Sequence, residues 1–112
     1  MRAAIIDLGT NTFNLLVFER SAEDMRILYS EELPVFLGKG GIEKGMVAPD
    51  AFERGMEALR KHKEKANERG ATVITGFGTS ALRNARNAPD FIARTKQELG
   101  IAISVIPGDQ EA

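Results

Sequence analysis

The chain has no cysteine, no tryptophan, one tyrosine and one histidine. Without cysteine there is no disulfide framework and no thiolate nucleophile. A single histidine, His62, cannot form a histidine metal cluster, and it argues against a His-based catalytic triad. An excess of one charge sign is also missing: fifteen Lys and Arg face sixteen Asp and Glu, for a net charge of -1. That balance argues against nucleic acid or an anionic membrane as a bulk partner, although a local basic patch is compatible with it. No apolar run approaches the ~20 residues of a membrane span. The N-terminus begins in a strand-like run without signal-peptide architecture. A soluble, cytoplasmic protein is the expectation.

What is present is an ordinary globular balance, 112 residues with 43% hydrophobic and 28% charged. Such a length is one domain or a large piece of one, and it buries roughly two-thirds of its unfolded surface, enough for a core. Residues 3–8 and 13–20 read as strands joined by a short polar link of hairpin length. Residues 25–36 continue as a third strand, with Met25, Ile27, Tyr29, Leu33, Val35 and Phe36 in the pattern. Residues 38–47 are glycine-rich and read as a loop. A helix then starts at Pro49, with Asp50 and Glu53 in its first turn. Phe52, Met56, Leu59 and Ala66 form its apolar stripe, and Gly70 closes it. Within it, Arg60 to Lys65, His62 included, reads as a solvated face.

Residues 71–76 are a short strand, and Gly76 to Ser80 turn into a helix over 81–86. A further helix runs from Asn87 to Gly100, and 101–106 are a last strand. The order β-β-β-α-β-α-α-β implies crossover connections, and hence parallel pairing, for the fourth and fifth strands. The predicted fold is α/β, a mixed five-stranded sheet with flanking helices. The chain stops at Ala112 just after a strand and turn, which suggests a piece of a longer protein.

Three polar stretches fall at the ends of the predicted parallel strands, where ligands of open α/β sheets bind. In Asp7-Leu8-Gly9-Thr10-Asn11-Thr12, the glycine allows close backbone approach. Successive N–H groups there can form an anion nest, and Asp7 suits a hydrated Mg²⁺. The same residues are equally those of a plain hairpin turn. In Gly78-Thr79-Ser80, a helix start offers N–H groups and a dipole to phosphate, with Arg83 and Arg86 nearby as clamps. Taken alone, that stretch is more simply a capped helix. In Pro107-Gly108-Asp109-Gln110-Glu111, a carboxylate after a strand can act as general base on water. A surface turn explains it too. The convergence of all three at one sheet edge favours a phosphate site.

Asp7 to Thr12 resembles the first phosphate loop of the exopolyphosphatase / guanosine pentaphosphate phosphohydrolase family, within the actin–Hsp70–sugar kinase superfamily. Gly78-Thr79-Ser80-Ala81-Leu82-Arg83-Asn84-Ala85-Arg86-Asn87-Ala88 is similar to the family's Gly-Thr-x-Ala-x-Arg-x-Ala-x-Asn stretch, a more discriminating match. Val105 to Ala112 resembles its Ile-Ser-Gly-x-Glu-Glu-Ala segment. The resemblance implies a ribonuclease H-like/actin-like N-terminal lobe over residues 1–112, part of a two-lobed, Mg²⁺-dependent hydrolase of terminal phosphoanhydride bonds. Its partners would be polyphosphate or guanosine pentaphosphate, and the full-length protein would be a homodimer.

Carried over, Asp7 sits at the metal. Gly9, Thr10, Asn11, Thr12, Gly78, Thr79 and Ser80 hold phosphates. Arg83 faces the polyanion, and Glu111 activates water, with Asp109 as a second candidate base. The sequence departs from the family at Asn14, where Arg or His is common, and at Pro107 and Gln110. Two rival readings are an ATP-binding lobe of a related kinase or chaperone-like ATPase, and a phosphate- or nucleotide-binding module that has lost catalysis.

Overall fold

A computed structural model describes residues 1–41 and 45–106. The elements are β1 (Arg2–Leu8), β2 (Thr12–Arg20), β3 (Met25–Pro34), α1 (Pro49–Glu68), β4 (Val73–Gly78), α2 (Ser80–Asn84), α3 (Ala88–Leu99) and β5 (Ala102–Val105). They form one five-stranded sheet in the order β3-β2-β1-β4-β5. β1, β2 and β3 pair antiparallel as a meander, whereas β4 pairs parallel to both β1 and β5. The expected mixed sheet and its parallel set are therefore present.

Alternation along the strands divides the sheet into two unlike faces. Register puts Ile6 beside Leu15 and Leu8 beside Phe13, and all four are at most 1% exposed. Gly76 and Ile103 continue that face across β4 and β5. Met56, Leu59 and Ala66 of α1 and Phe91 and Leu99 of α3 belong to the same buried cluster. The opposite face carries Ile5, Asp7, Asn14 and Leu16, with Ile27 and Val73 exposed.

The helix ends follow local chemistry. Pro49 stands in the first turn of α1, where its missing N–H costs no helical bond. Past the other end, Gly70 takes a φ of 83°, a left-handed conformation that favours glycine. Gly100 ends α3 in the same way, its N–H donating to the Lys96 carbonyl. α1 and α3 approach closely at Gly55, where an added Cβ would lie 3.0 Å from the Phe91 ring. Phe52 meets that ring edge-on at 5.0 Å between centroids. This contact explains a glycine that intrinsic helix propensity disfavours by about 1 kcal/mol relative to Ala.

Four local expectations are corrected. β3 stops at Pro34, not Phe36, because proline has no N–H to extend the ladder, and Phe36 then turns with a φ of 52°. β4 runs to Gly78, so Gly76 and Gly78 are strand residues and not loop. Ile103 and Leu8 cover Gly76, and Leu82 covers Gly78. α2 ends at Asn84 because Ala85 is extended. Finally, Arg60 to Lys65 is not uniformly solvated. His62 is fully buried, and Lys63 Nζ donates to the Leu99 carbonyl at 2.8 Å, satisfying the end of α3.

Candidate active site

The C-terminal ends of β1 and β4 lie side by side, with Leu8 opposite Gly78 in the parallel register. At the end of β1 the turn Gly9–Thr12 closes on itself, the Gly9 N–H donating to the Thr12 carbonyl at 3.0 Å. A Cβ on Gly9 would meet that carbonyl oxygen at 2.9 Å, so the turn excludes a side chain there. Its carbonyls face the segment after β3. The Asn11 carbonyl accepts from the N–H groups of Val35 and Phe36, and the Thr10 carbonyl accepts from Leu37 at 2.7 Å. Arg54 of α1 secures that segment from the other side, donating through Nε to the Val35 carbonyl and through Nη2 to that of Phe36. The turn is thus a hairpin connection whose carbonyls bond inward to the fold.

The second turn is stitched to the first. Thr79 donates both its N–H, at 3.2 Å, and its hydroxyl, at 3.1 Å, to the Leu8 carbonyl. The hydroxyl therefore does not cap α2, although a threonine just before a helix suits that role. α2 has five residues, so its dipole is small and the expected pull on phosphate rests on local N–H groups. Arg83 Nη1 donates to the Ile106 carbonyl at 3.2 Å, tying α2 to the end of β5. The Ile106 N–H in turn donates to the Gly78 carbonyl. Asn87 clasps the N–H and carbonyl of Val47 with its side-chain amide. A cavity of about 140 Å³ opens between the first turn and α2, lined by Thr10, Asn84 and the apolar Leu37, Met46 and Val47.

The strand ends thus bring together Asp7, Gly9 to Thr12 and Gly78 to Ser80, with Arg83 bridging to β5. Asp7 is exposed near the end of β1. Its register partners are Asn14 and Phe77, so it lies on the sheet face away from α1 and α3. Glu111 and Asp109, the candidate bases, lie outside the described residues, as do Pro107 and Gln110.

Reading the sequence missed two polar residues of α1, Arg54 and His62. His62 Nε2 lies 3.2 Å from the Phe13 carbonyl, and Nδ1 lies 3.1 Å from Glu31 Oε1. Burial pushes its imidazole pKa below the ordinary value, while the Phe13 carbonyl and Glu31 pull it up. The signal was available: Gly55, Leu59, His62 and Ala66 recur at helical spacing, and all four are buried.

Fold and strand-end turns together define an actin-like, ribonuclease H-like lobe with two adjoining candidate phosphate turns. The sequence model of the Ppx/GppA phosphatase family matches residues 16–112, and the chain belongs to that family. Among solved structures, an exopolyphosphatase from Cytophaga hutchinsonii superposes with a TM-score of 0.94 at 37% identity, over 99% of this chain and 36% of that one. An Aquifex aeolicus Ppx/GppA family member gives 0.90 at 29% identity, over 99% of this chain and 36% of that one. The ethanolamine utilization protein EutJ from Carboxydothermus hydrogenoformans, at 15% identity and a TM-score of 0.56 over 94% of this chain and 36% of that one, shares the fold alone. The chain therefore spans 36% of the length of the two family structures. Among the described residues, no helix is long and apolar enough to cross a membrane.

Proposed function

We propose that the chain is the phosphate-gripping N-terminal lobe of a hydrolase that releases terminal phosphate from inorganic polyphosphate or guanosine pentaphosphate. The observation that carries this reading is the stitch from Thr79 to Leu8, which joins the two candidate phosphate turns across parallel strands. Family membership, and a 37%-identical neighbour that is an exopolyphosphatase, support the same chemistry.

In this reading the two turns, Gly9 to Thr12 and Thr79 to Ser80, line the terminal phosphoryl group with donors other than the Gly9 and Thr79 N–H groups, which the Thr12 and Leu8 carbonyls already take, and Arg83 adds positive charge. Glu111 orients a water in line with the scissile bond and accepts its proton. The water oxygen bonds to phosphorus as the bond to the bridging oxygen breaks, and the shortened polyphosphate or guanosine tetraphosphate leaves. Positioning and charge neutralisation dominate such transfers, so little covalent chemistry is asked of the protein.

Asp7 is the carboxylate of the described site. Among the described residues no group of three or more His, Cys, Asp or Glu side chains forms a metal cage. One carboxylate completed by water and substrate phosphate fits Mg²⁺, which is seldom held by an all-protein cage. When bound there, Mg²⁺ supplies charge neutralisation to the phosphate oxygens.

The test is phosphate release from polyphosphate and from guanosine pentaphosphate by the full-length protein that carries these residues, compared with its Glu111→Gln variant. We expect a loss of ~100-fold or more, the scale of removing a group that acts in the transition state. Undiminished release by the variant removes Glu111 from the mechanism. The 112 residues alone are expected to turn over little or nothing, because the opposing lobe of the cleft would lie in the remaining length.

A further inference from the structure

We propose that His62 is a positioning residue for the phosphate turn: its buried imidazole, set between Glu31 and the Phe13 carbonyl, holds the point where the Asp7–Thr12 turn enters β2. This inference rests on the phosphate reading above and adds a residue from outside the site. His62 lies on α1, is 0% exposed and is the chain's single histidine.

Both ring nitrogens meet oxygen acceptors. Nε2 is 3.2 Å from the Phe13 carbonyl, one residue beyond Thr12, and Nδ1 is 3.1 Å from Glu31 Oε1 on β3. A carbonyl only accepts, so the Phe13 contact is a hydrogen bond when Nε2 carries its hydrogen. That choice of tautomer leaves Nδ1 for Glu31, and both contacts are satisfied together when the imidazole and the carboxylate share one further proton. Glu31 is itself fixed, because its other oxygen accepts from the Tyr29 hydroxyl at 3.0 Å. The Arg69 guanidinium covers the Tyr29 ring 4.2 Å from its centroid.

A continuous set of contacts thus runs from Arg69, just past the C-terminal end of α1, through Tyr29, Glu31 and His62 to the root of the turn. Packing alone does not call for an imidazole, since an apolar side chain fills a buried space without the cost of desolvating polar nitrogens. What the imidazole adds is direction at both ends: it sets the Phe13 peptide relative to α1 and β3 together. The opposite shoulder of the turn is held by Arg54 through Val35 and Phe36. The two α1 residues therefore brace the turn from both sides.

The test uses the full-length protein that carries these residues. With the protein ¹⁵N-labelled, the long-range ¹H–¹⁵N spectrum shows the histidine imidazoles, and the spin system lost in the His62→Gln variant is that of His62. Millimolar tripolyphosphate with Mg²⁺ is titrated while the backbone amides of Gly9 to Thr12 are followed. The imidazole nitrogens are expected to shift with the same midpoint as those amides. If the amides shift and the imidazole does not, the positioning role falls while the phosphate reading stands. If neither shifts, the phosphate reading falls and takes this proposal with it.

Variants give a second arm. His62→Gln keeps an N–H donor for the Phe13 carbonyl and is expected to bind tripolyphosphate within ~3-fold of the unaltered chain, whereas His62→Leu weakens binding by ~10-fold, the scale of one lost hydrogen bond. Unchanged affinity in a folded His62→Leu chain overturns the proposal. If that variant does not fold, the imidazole titration decides.

Discussion

The two faces of the sheet are built from the same strands, residue by alternate residue, yet they do different work. On one face Ile6, Leu8, Phe13 and Leu15 are sealed under α1 and α3, and the few polar groups there, His62 and Thr95, are hydrogen-bonded. On the other face Ile5 and Leu16 are only partly covered, and Asp7 is exposed at the loop edge. The comparison shows how a small α/β lobe keeps an open edge for its candidate site. The covered face supplies rigidity, and the strand ends project a carboxylate and two turns from that rigid base. A single residue's shift of register in β1 would exchange Asp7 with Leu8 or Ile6 and bury the carboxylate.

Substitutions on each face break or sharpen that contrast. The largest effect is expected from Leu59→Ala on the covered face, where the side chain is 0% exposed. The cavity it leaves should cost ~2–5 kcal/mol in urea unfolding, and a loss under ~1 kcal/mol would show that the helical layer is looser than described. Next comes Asp7→Asn at the candidate site. Its unfolding free energy should stay within ~0.5 kcal/mol. Phosphate release by the full-length protein should fall ~100-fold, or about 2.7 kcal/mol of transition-state stabilisation. A large stability change there would make Asp7 a structural residue. The smallest effect is expected from Ile27→Lys on the open face. At 59% exposure it should leave stability within ~0.5 kcal/mol. A drop beyond ~1.5 kcal/mol would mean that the open face is covered in solution.

Much of the lobe was legible beforehand. Short apolar runs on either side of a polar link marked β1 and β2, Pro49 and Gly70 framed α1, and Gly100 ended α3. The strand ends that would carry the site followed from topology, because crossovers make β1, β4 and β5 parallel. Less legible were residues whose role depends on a distant neighbour. Gly78 reads as loop glycine by composition, but it is a strand residue because it pairs with Leu8 and Val105 on either side, and Leu82 packs over it. Thr79 reads as a helix cap, but it bonds the Leu8 carbonyl across 71 positions of sequence. His62 reads as one member of a charged run, though its place on the buried stripe was visible in the spacing.

The sequence by itself determined the kinds and order of the elements and the turn chemistry at their ends. These depend on neighbours within a few residues, through periodicity, proline and glycine. Tertiary structure alone decided which face of the sheet would be sealed, that the two turns would touch, and that an imidazole on α1 would reach the root of the first. Those outcomes require strand register and crossover packing to bring together groups separated by 31 to 71 positions. In this fold they join through contacts of about 3 Å that no local pattern encodes.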